Sequence, residues 1–444
     1  MRIAQLTPGS GDNFYCENCL RDTGLVRALR RAGHDVVLVP MYLPIGELSH
    51  PQDGAGPLFF GGINAYLQQK LGLFRRTPRR LDRLLDARWL LRLFGAKAGA
   101  TSPRLLGDMT VSMLKGRNGR QAKELQRLLD WLGLPENRPD VVVLSNLLLA
   151  GLAGPIRAEL GTPVVCMLQD EEGFLDGLPE PYRNEAWGIL ASRAADIDVF
   201  VAVSRYYAEK MRHRLALEPS RVEVVYAGID LEAYGPAGKA TEPSTSPPVA
   251  ATTAAVPTIG FLSQMCEAKG LDTLVSAFVI LKKDERLAGA RLRIAGGLSG
   301  ADKAFVARLD RELETWGLGK DVEYVERFDV PARVEFLRGL TVLTVPERQA
   351  AAYGMYVLEA MAGGVPVVEP AEGVFVELME LTGGGVLYEP NDAAHLAEAL
   401  KGLLVDPDRA RRLGELGRRA VTENFDIRRT VADLERVYEK VVHR

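Results

Sequence analysis

The stretch that decides the fold is residues 353–368, which read YGMYVLEAMAGGVPVV. Gly354 ends a loop, and Met355–Ala362 contains neither glycine nor proline, which predicts a helix. The apolar run Pro366–Val368 then predicts a buried strand. A glycine turn, a helix and a buried strand in this order are typical of an α/β protein with a parallel sheet.

The same alternation of strands and helices runs through most of the chain. Short apolar runs predict strands at Arg2–Leu6, Val36–Val39, Val141–Leu144, Val164–Leu168, Val199–Val203, Val222–Tyr226, Thr258–Leu262, Arg291–Ala295, Val322–Val325, Thr341–Val345, Pro366–Val368 and Gly385–Tyr388. Helices are predicted at Asn18–Ala32, Leu271–Lys283, Lys303–Trp316, Val330–Leu337 and Arg409–Val442, the last with a break near Asn424–Asp426. We therefore expect doubly wound parallel sheets covered by helices on both faces.

A change of composition divides the chain into two domains. Residues 235–257 are rich in Pro, Ala, Ser and Thr, which cannot support a packed core and predict a flexible linker. The linker separates an N-terminal domain, 1–234, from a C-terminal domain, 258–425. A mostly helical insertion is expected at about 45–139, where the alternation fails. Two such domains are expected to hold a ligand in a cleft.

The composition of the 444 residues excludes several classes of protein. Hydrophobic residues make up 47% and charged residues 25%, as in soluble globular proteins. A formal net charge of −3 argues against a strongly basic nucleic-acid binder. The chain has 4 cysteines, too few for a disulfide scaffold, and its start lacks the apolar core of a signal peptide. These features predict a cytoplasmic protein.

Residues 70–97 carry many basic side chains and few acidic ones, with leucines and aromatic residues between them. One interpretation is a surface that contacts the inner face of the membrane or an anionic acceptor. The other is a pair of amphipathic helices packed on the domain with a solvated basic face. The sequence leaves both open.

The loop and helix around Gly354 suit a diphosphate. Backbone N–H groups where the helix starts, at Met355, attract anions, and glycine lets a ligand approach the backbone closely. The carboxylate of Glu359 can accept hydrogen bonds from ribose hydroxyls, and Lys269 can neutralise phosphate charge. Plainer interpretations are a glutamate that only complements the helix dipole and a surface lysine.

Several stretches of the sequence resemble the retaining glycosyltransferases of family 4. Residues 353–368 resemble the donor-site motif of that family. Further resemblances lie at Gly260–Leu262 running to Lys269-Gly270, at Arg291–Gly297, at Tyr226–Asp230 and in the glycine turn near the start. The resemblance implies the GT-B fold, two facing Rossmann-like domains, with the last helix, 426–444, crossing back to the first domain.

The resemblance also implies a set of site residues. The donor-binding positions fall on Gly260, Gln264, Lys269, Ala351, Gly354, Met355 and Glu359. The catalytic position follows the strand Val164–Leu168 and falls on Gln169, with Asp170 and Glu171 beside it. The loop that touches donor phosphate or acceptor falls on Gly9, Ser10, Gly11 and Asn13. A second glycine pair places Gly62 and Asn64 on the acceptor side, unless it is an ordinary turn.

Some positions depart from the family pattern. Gln264 stands where the family has an arginine, Ala351 where it has a glutamate, Gln169 where it has a histidine and Ala227 where it has an asparagine. Gln264 can still donate a neutral hydrogen bond, whereas Ala351 cannot, so Glu347, Arg348 and Gln349 are candidates to replace its function. Asp170–Glu172 is either polar machinery of the site or a solvated loop.

Cys16 and Cys19 have CxxC spacing beside a helix start. Redox chemistry and a metal site both use this spacing, but zinc needs two more ligands, and the remaining cysteines and histidines supply no second pair. We expect two partly buried free thiols.

The resemblance therefore implies a retaining, metal-independent glycosyltransferase without a cofactor. Its partners would be a UDP- or GDP-sugar donor and an unknown acceptor, a glycan, a lipid or a small molecule, with no nucleic acid. The alternative is a degenerate relative that binds a nucleotide without turnover.

Overall fold

The computed structural model describes residues 1–8, 15–41, 103–234 and 256–443. Several predictions therefore lie outside the described residues. These are the loop residues Gly9, Ser10, Gly11 and Asn13, the acceptor-side residues Gly62 and Asn64, the basic stretch 70–97, the insertion before residue 103 and the linker up to residue 255.

The described part of the first half forms one parallel sheet. Its strands are β1 (Arg2–Thr7), β2 (Asp35–Pro40), β3 (Val141–Leu144), β4 (Val164–Leu168), β5 (Val199–Ala202) and β6 (Val222–Val224), in the order β2-β1-β3-β4-β5-β6. In β1, Ile3 lies opposite both Val36 and Val141. The apolar strands β3, β4 and β5 are buried along their whole length, which requires cover on both faces of the sheet.

Seven described helices accompany this sheet. They are α1 (Glu17–Arg31), α2 (Pro103–Leu114), α3 (Ala122–Leu132), α4 (Ala153–Leu160), α5 (Glu171–Asp176), α6 (Tyr182–Arg193) and α7 (Arg205–Arg214). Residues 103–139, predicted as part of a helical insertion, contain α2 and α3. Buried leucines on one face of α3 hold it against the domain.

The second half forms another parallel sheet of six described strands. They are β7 (Thr258–Leu262), β8 (Arg291–Ala295), β9 (Val322–Val325), β10 (Val342–Leu343), β11 (Val367–Pro370) and β12 (Gly385–Tyr388), in the order β12-β11-β10-β7-β8-β9. This is the strand order of dinucleotide-binding folds. The predicted α/β class with doubly wound parallel sheets is confirmed.

Eight described helices belong to this half and the end of the chain. They are α8 (Leu271–Leu281), α9 (Lys303–Thr315), α10 (Val330–Arg338), α11 (Met355–Ala362), α12 (Val374–Thr382), α13 (Ala393–Leu404), α14 (Pro407–Asn424) and α15 (Ile427–Val442). Every residue of α11 is buried. The predicted break in the last helix separates α14 from α15.

Strand β10 is shorter than the predicted Thr341–Val345. The backbone N–H of Val345 donates to the carboxylate of Glu369, 3.3 Å away, instead of to a neighbouring strand. A side chain thus replaces the ladder bond, and the backbone leaves the sheet early.

The chain divides into two compact units. The first comprises Met1–Asp12, Cys16–Ala227 and Thr430–Arg444, and the second comprises Asn13–Tyr15 and Gly228–Arg429. Most of α15 thus counts with the first unit, and Tyr15 counts with the second. None of the described helices is both long and apolar enough to span a membrane.

Candidate active site

The strand order of the second unit places a switch point between β7 and β10. From β7 the chain continues to β8 and β9 on one side, and then returns to β10 on the other. Ligands of such sheets bind beyond the carboxyl ends of the strands at this point. The loops that leave β7 and β10 meet here at Gly270, whose φ is +66° and where a Cβ atom would overlap the carbonyl oxygen of Pro346.

Lys269 lies at the switch point in an ion pair. Its Nζ is 2.8 Å from Oε1 of Glu347, and the two side chains are 22% and 7% exposed. The hydroxyl of Tyr356, in the first turn of α11, donates to the same Oε1 at 3.0 Å. Lys269 is therefore held beside the amino end of α11, where its charge is balanced by a carboxylate.

Gln264 faces a carboxylate as well. Its Nε2 donates to Oδ2 of Asp302 at 2.8 Å, and the hydroxyl of Ser299 donates to the same oxygen at 2.6 Å. Because the side-chain amide of Gln264 is neutral, its hydrogen bond to Asp302 is not an ion pair. Gln264, which stands where the family has an arginine, thus binds an acidic side chain nearby.

Ala351 and Gly354 shape the loop that leads into α11. Ala351 is buried, and its carbonyl accepts a bond of 3.0 Å from Val374 at the start of α12. A Cβ at Gly354 would come within 3.1 Å of the ring of Phe375. Met355 begins α11 and is buried. Close packing therefore leaves little room for larger side chains in this loop.

Gly260 lies inside β7 rather than in a loop. A Cβ there would overlap the side chain of Leu340, which fills the space beside the strand. Packing against Leu340 requires a small residue here, and the carbonyl of Gly260 accepts from the N–H of Thr344 at 3.0 Å.

Glu359 is buried in a tight polar cluster. Its Oε1 accepts from Arg333 Nε at 3.1 Å and from Arg333 Nη2 at 2.9 Å, and its Oε2 accepts from the hydroxyl of Tyr15 at 3.0 Å. The Arg333 and Glu359 side chains are 5% and 3% exposed. Burial alone would lower the pKa of Arg333, but Glu359 together with Tyr15 and Tyr234 outweighs burial, and the pKa is raised. The carboxylate predicted to bind ribose is therefore oriented by two other side chains.

In the first unit, Gln169 and Glu171 follow β4. Glu171 accepts hydrogen bonds from the backbone N–H of Leu147 at 2.9 Å and of Gln169 at 2.8 Å, and from the hydroxyl of Tyr207 at 2.9 Å. Gln169 Nε2 donates to the carbonyl of Ser145. These bonds tie the loop after β3 to the loop after β4.

The solvated-loop interpretation of Asp170–Glu172 is wrong for Glu171. Asp170 is exposed, with a φ of +62°. Glu171, however, is 3% exposed, and Glu172 forms an ion pair with Lys210. Burial raises the pKa of Glu171, because the three hydrogen bonds do not fully replace its hydration.

We expect Glu171→Gln to lower the free energy of unfolding by about 1–3 kcal/mol. The amide oxygen can serve one side of the cluster, but its NH₂ group then faces the N–H of Leu147, a donor against a donor. Glu172→Gln, which changes the ion pair with Lys210 nearer the surface, should cost less than about 1 kcal/mol. Urea unfolding of both variants measures the difference, and equal losses would contradict the assignment.

The expectation of two free thiols at Cys16 and Cys19 is wrong, since they form a disulfide bond. Cys16 precedes the first turn of α1, and a helical turn brings the two sulfurs together. The small number of cysteines in the chain does not predict whether this pair forms a bond, because that depends on the local geometry of the CxxC segment. The described residues contain no group of three or more His, Cys, Asp or Glu side chains that could hold a metal ion.

Comparison with known proteins decides the family. Residues 251–420 match the model described as Glycosyl transferases group 1, and residues 109–233 match Glycosyltransferase Family 4. The alpha-maltose-1-phosphate synthase of Mycolicibacterium smegmatis is 30% identical over 322 residues, which cover 68% of this chain and 79% of that protein. The chain belongs to glycosyltransferase family 4.

Two further relatives of this family-4 glycosyltransferase are matched at lower identity. The D-inositol 3-phosphate glycosyltransferase of Xylanimonas cellulosilytica is 28% identical over 419 residues, which cover 89% of this chain and 95% of that protein. A second protein of that name, from Catenulispora acidiphila, is matched over only 50% of its length.

Solved structures show the fold of this family-4 glycosyltransferase. Sucrose-phosphate synthase from Thermosynechococcus elongatus matches with a TM-score of 0.70 at 17% identity, over 100% of this chain and 99% of that one. HepE from Anabaena in complex with UDP-glucose matches with a TM-score of 0.67 at 16% identity, over 98% and 100%. The predicted GT-B fold is confirmed.

Several residues of the candidate site have no sequence signal. Arg333 lies in an ordinary amphipathic helix, and Tyr15 lies between a glycine turn and the CxxC pair, so no motif marks either as a partner of Glu359. Glu347 is one of three candidates to replace the glutamate that the family has at position 351. The structure separates these candidates, because Glu347 is buried beside Lys269, whereas Arg348 pairs with Glu267 and Asp272.

Proposed function

We propose that this glycosyltransferase transfers a sugar, with retention and without a metal ion, from a UDP- or GDP-sugar to an acceptor held by the first unit. The observation that carries the proposal is Lys269 at the switch point of the second sheet, beside the amino end of α11. A lysine and a helix amino end together favour a diphosphate. HepE, a structural neighbour, is seen with UDP-glucose, which supports a nucleotide-sugar donor.

In this proposal the residues of the second unit have separate roles in binding the donor. Lys269 neutralises negative charge on the diphosphate, which is also the leaving group of the transfer. Glu359, oriented by Arg333 and Tyr15, accepts a hydrogen bond from the ribose. Glu347 holds Lys269 in place before the donor arrives.

The names of relatives suggest a class of acceptor for the proposed transfer. Relatives of this chain are named D-inositol 3-phosphate glycosyltransferase and alpha-maltose-1-phosphate synthase. Both names include a phosphorylated small molecule, which makes phosphorylated polyols and sugars the first acceptors to screen. The anomeric configuration of the product, read by nuclear magnetic resonance, tests retention.

The alternative, a nucleotide-binding protein without turnover, also has an observation in its favour. Lys269 is neutralised by Glu347, and Gln264 faces Asp302, so the loop after β7 carries less free positive charge than an arginine and a lysine would. Release of nucleotide from a nucleotide sugar, with and without acceptor, separates the two functions. Tight binding without release of either product would favour the alternative.

We expect Lys269→Ala to weaken the binding of UDP or GDP by about ten- to a hundredfold, which corresponds to the loss of one charge-assisted hydrogen bond. The control is Lys320→Ala, since Lys320 is exposed and precedes the edge strand β9, which places it at the amino ends of the strands rather than at the carboxyl ends. Titration calorimetry of both variants measures the effect. If Lys269→Ala binds UDP or GDP with wild-type affinity, Lys269 does not contribute to nucleotide binding.

A further inference from the structure

The disulfide bond between Cys16 and Cys19 has no role in the proposed function. It closes the amino end of α1, because it joins the residue before the helix to a residue of the first turn. Both cysteines are half-buried, whereas the free thiol of Cys166 is fully buried. Solvent therefore reaches the disulfide, and access to a thiol reagent is the first condition for thiol–disulfide exchange.

The start of α1 favours opening of the disulfide at one of its two sulfurs. Sγ of Cys16 accepts a hydrogen bond of 3.3 Å from the backbone N–H of Cys19. A thiolate on Cys16 would keep this hydrogen bond and would lie at the positive end of a helix of 15 residues. Because a more stable thiolate leaves faster, we expect an incoming thiolate to attack Sγ of Cys19 and to displace Cys16.

Tyr15, the residue directly before Cys16, is fixed within the cluster around Glu359. Its backbone N–H donates to the carbonyl of Gly296 at 2.6 Å, and its hydroxyl donates to Glu359 Oε2 at 3.0 Å. Its ring centroid lies 5.6 Å from the guanidinium carbon of Arg333. One peptide bond joins this residue to Cys16, so the backbone position of Tyr15 depends on how Cys16 is held.

The disulfide holds Cys16 more firmly than hydrogen bonds alone would. Without the disulfide, two hydrogen bonds tie Cys16 to α1: the one from Cys19 to its sulfur, and one of 3.0 Å from the N–H of Leu20 to its carbonyl. The end turns of helices open more readily than their centres. Reduction therefore gives Cys16 more freedom and weakens the hydrogen bond between Tyr15 and Glu359.

We propose that Cys16 and Cys19 form a reversible thiol–disulfide site for dithiol reductants, and that its redox state controls how firmly Tyr15 binds Glu359. One thiolate of the reductant bonds to the Cys19 sulfur as the bond to Cys16 breaks, and its second thiol then displaces Cys19. The protein gains two electrons and two protons, as the reductant becomes a disulfide. The effect on nucleotide binding rests on the proposed function, in which Glu359 accepts from the ribose.

Alkylation of the folded protein tests the thiol–disulfide site itself. After treatment with diamide, an oxidant of thiols, Cys16 and Cys19 should not react with iodoacetamide. After treatment with dithiothreitol both should be labelled, as read by mass spectrometry of peptides, and a second treatment with diamide should protect them again. Cys166 is the internal control, because it is fully buried and should stay unlabelled. Reduction that succeeds only in urea would overturn the proposal.

Titration calorimetry with UDP and GDP tests the effect of the redox state on nucleotide binding. We expect the reduced protein to bind about three- to tenfold more weakly than the oxidised protein, which corresponds to the loss of one hydrogen bond. Oxidation of the same sample with diamide should restore the affinity. Equal affinities of the two redox forms would overturn the link to Glu359.

Two variants separate this link from a merely stabilising disulfide. Tyr15→Phe keeps the ring but lacks the hydroxyl, so its nucleotide affinity should be low and the same in both redox forms. Cys16→Ser combined with Cys19→Ser should bind like the reduced wild type, with or without dithiothreitol. A disulfide that only stabilises the fold would lower the thermal unfolding midpoint on reduction, in wild type and Tyr15→Phe alike, and would leave the affinity unchanged.

The outcomes distinguish failure of this inference from failure of the proposed function. If neither redox form binds UDP or GDP, the proposed function falls, while the alkylation result still decides whether the thiol–disulfide site exists. If both forms bind equally, the proposed function stands and the redox control is overturned. An effect of reduction that persists in Tyr15→Phe would overturn the role of Tyr15.

Discussion

Arg333→Met should lower the free energy of unfolding of the second unit by about 3–5 kcal/mol. Methionine fills much of the space of the arginine stem but leaves Glu359 as a buried carboxylate without its cation. Two of the three hydrogen bonds to that carboxylate come from Arg333. The guanidinium also donates to the carbonyl of Phe328 at 2.8 Å, and this acceptor would lose its partner.

A double variant shows whether the unpaired charge causes the loss. In Arg333→Met combined with Glu359→Gln the buried charge is gone, so we expect the double variant to be more stable than Arg333→Met alone. Guanidinium unfolding followed by tryptophan fluorescence and circular dichroism measures all three proteins. A loss below about 1 kcal/mol in the single variant would mean that water or rearrangement compensates the charge.

Gly270→Ala should cost about 3–4 kcal/mol and also abolish tight nucleotide binding. A methyl group at this position overlaps the carbonyl oxygen of Pro346, and the φ of +66° is unfavourable for any residue with a Cβ. Relief of the overlap moves the loop after β7 away from the loop after β10. That movement separates Lys269 from Glu347, the neighbour of Pro346.

Gly317→Ala is the control for this prediction. Gly317 has a φ of +68° in the same unit, but a Cβ there would meet nothing within 4 Å. Its substitution should cost only about 1–2 kcal/mol, the cost of the left-handed backbone conformation. The difference in the free energy of unfolding between the two variants, measured by chemical denaturation, isolates the effect of the contact with Pro346. Similar losses would show that the loop relieves this contact at little cost.

The sequence predicts the sheets well because their strands are short, continuous and apolar. Val141–Leu144, Val164–Leu168 and Arg291–Ala295 have the predicted bounds. Edges and ends are less predictable. The edge strand β6 ends at Val224 rather than Tyr226, and β10 is shortened by the carboxylate of Glu369, a residue of another strand.

The sequence predicts the arrangement of the candidate site only for residues that lie close together along the chain. Gly354, Met355 and Glu359 share one loop and helix, so their arrangement follows from the helical repeat. The partners of Glu359 come from residues 15 and 333, far apart along the chain. Pairing over such distances depends on tertiary packing, and spacing in one sequence carries no trace of it. Lys269 and Glu347 are joined in the same way, across the switch point.

The division of the chain has a consequence for its synthesis on the ribosome. Leu434 and Tyr438 are fully buried and belong to the first unit, and His34 is 2.7 Å from Glu435. The first unit therefore cannot complete its core until the residues of α15 have left the exit tunnel, long after most of that unit has emerged. Until then an apolar groove of the first unit stays open, which makes the nascent chain a client for chaperones that shield such surfaces.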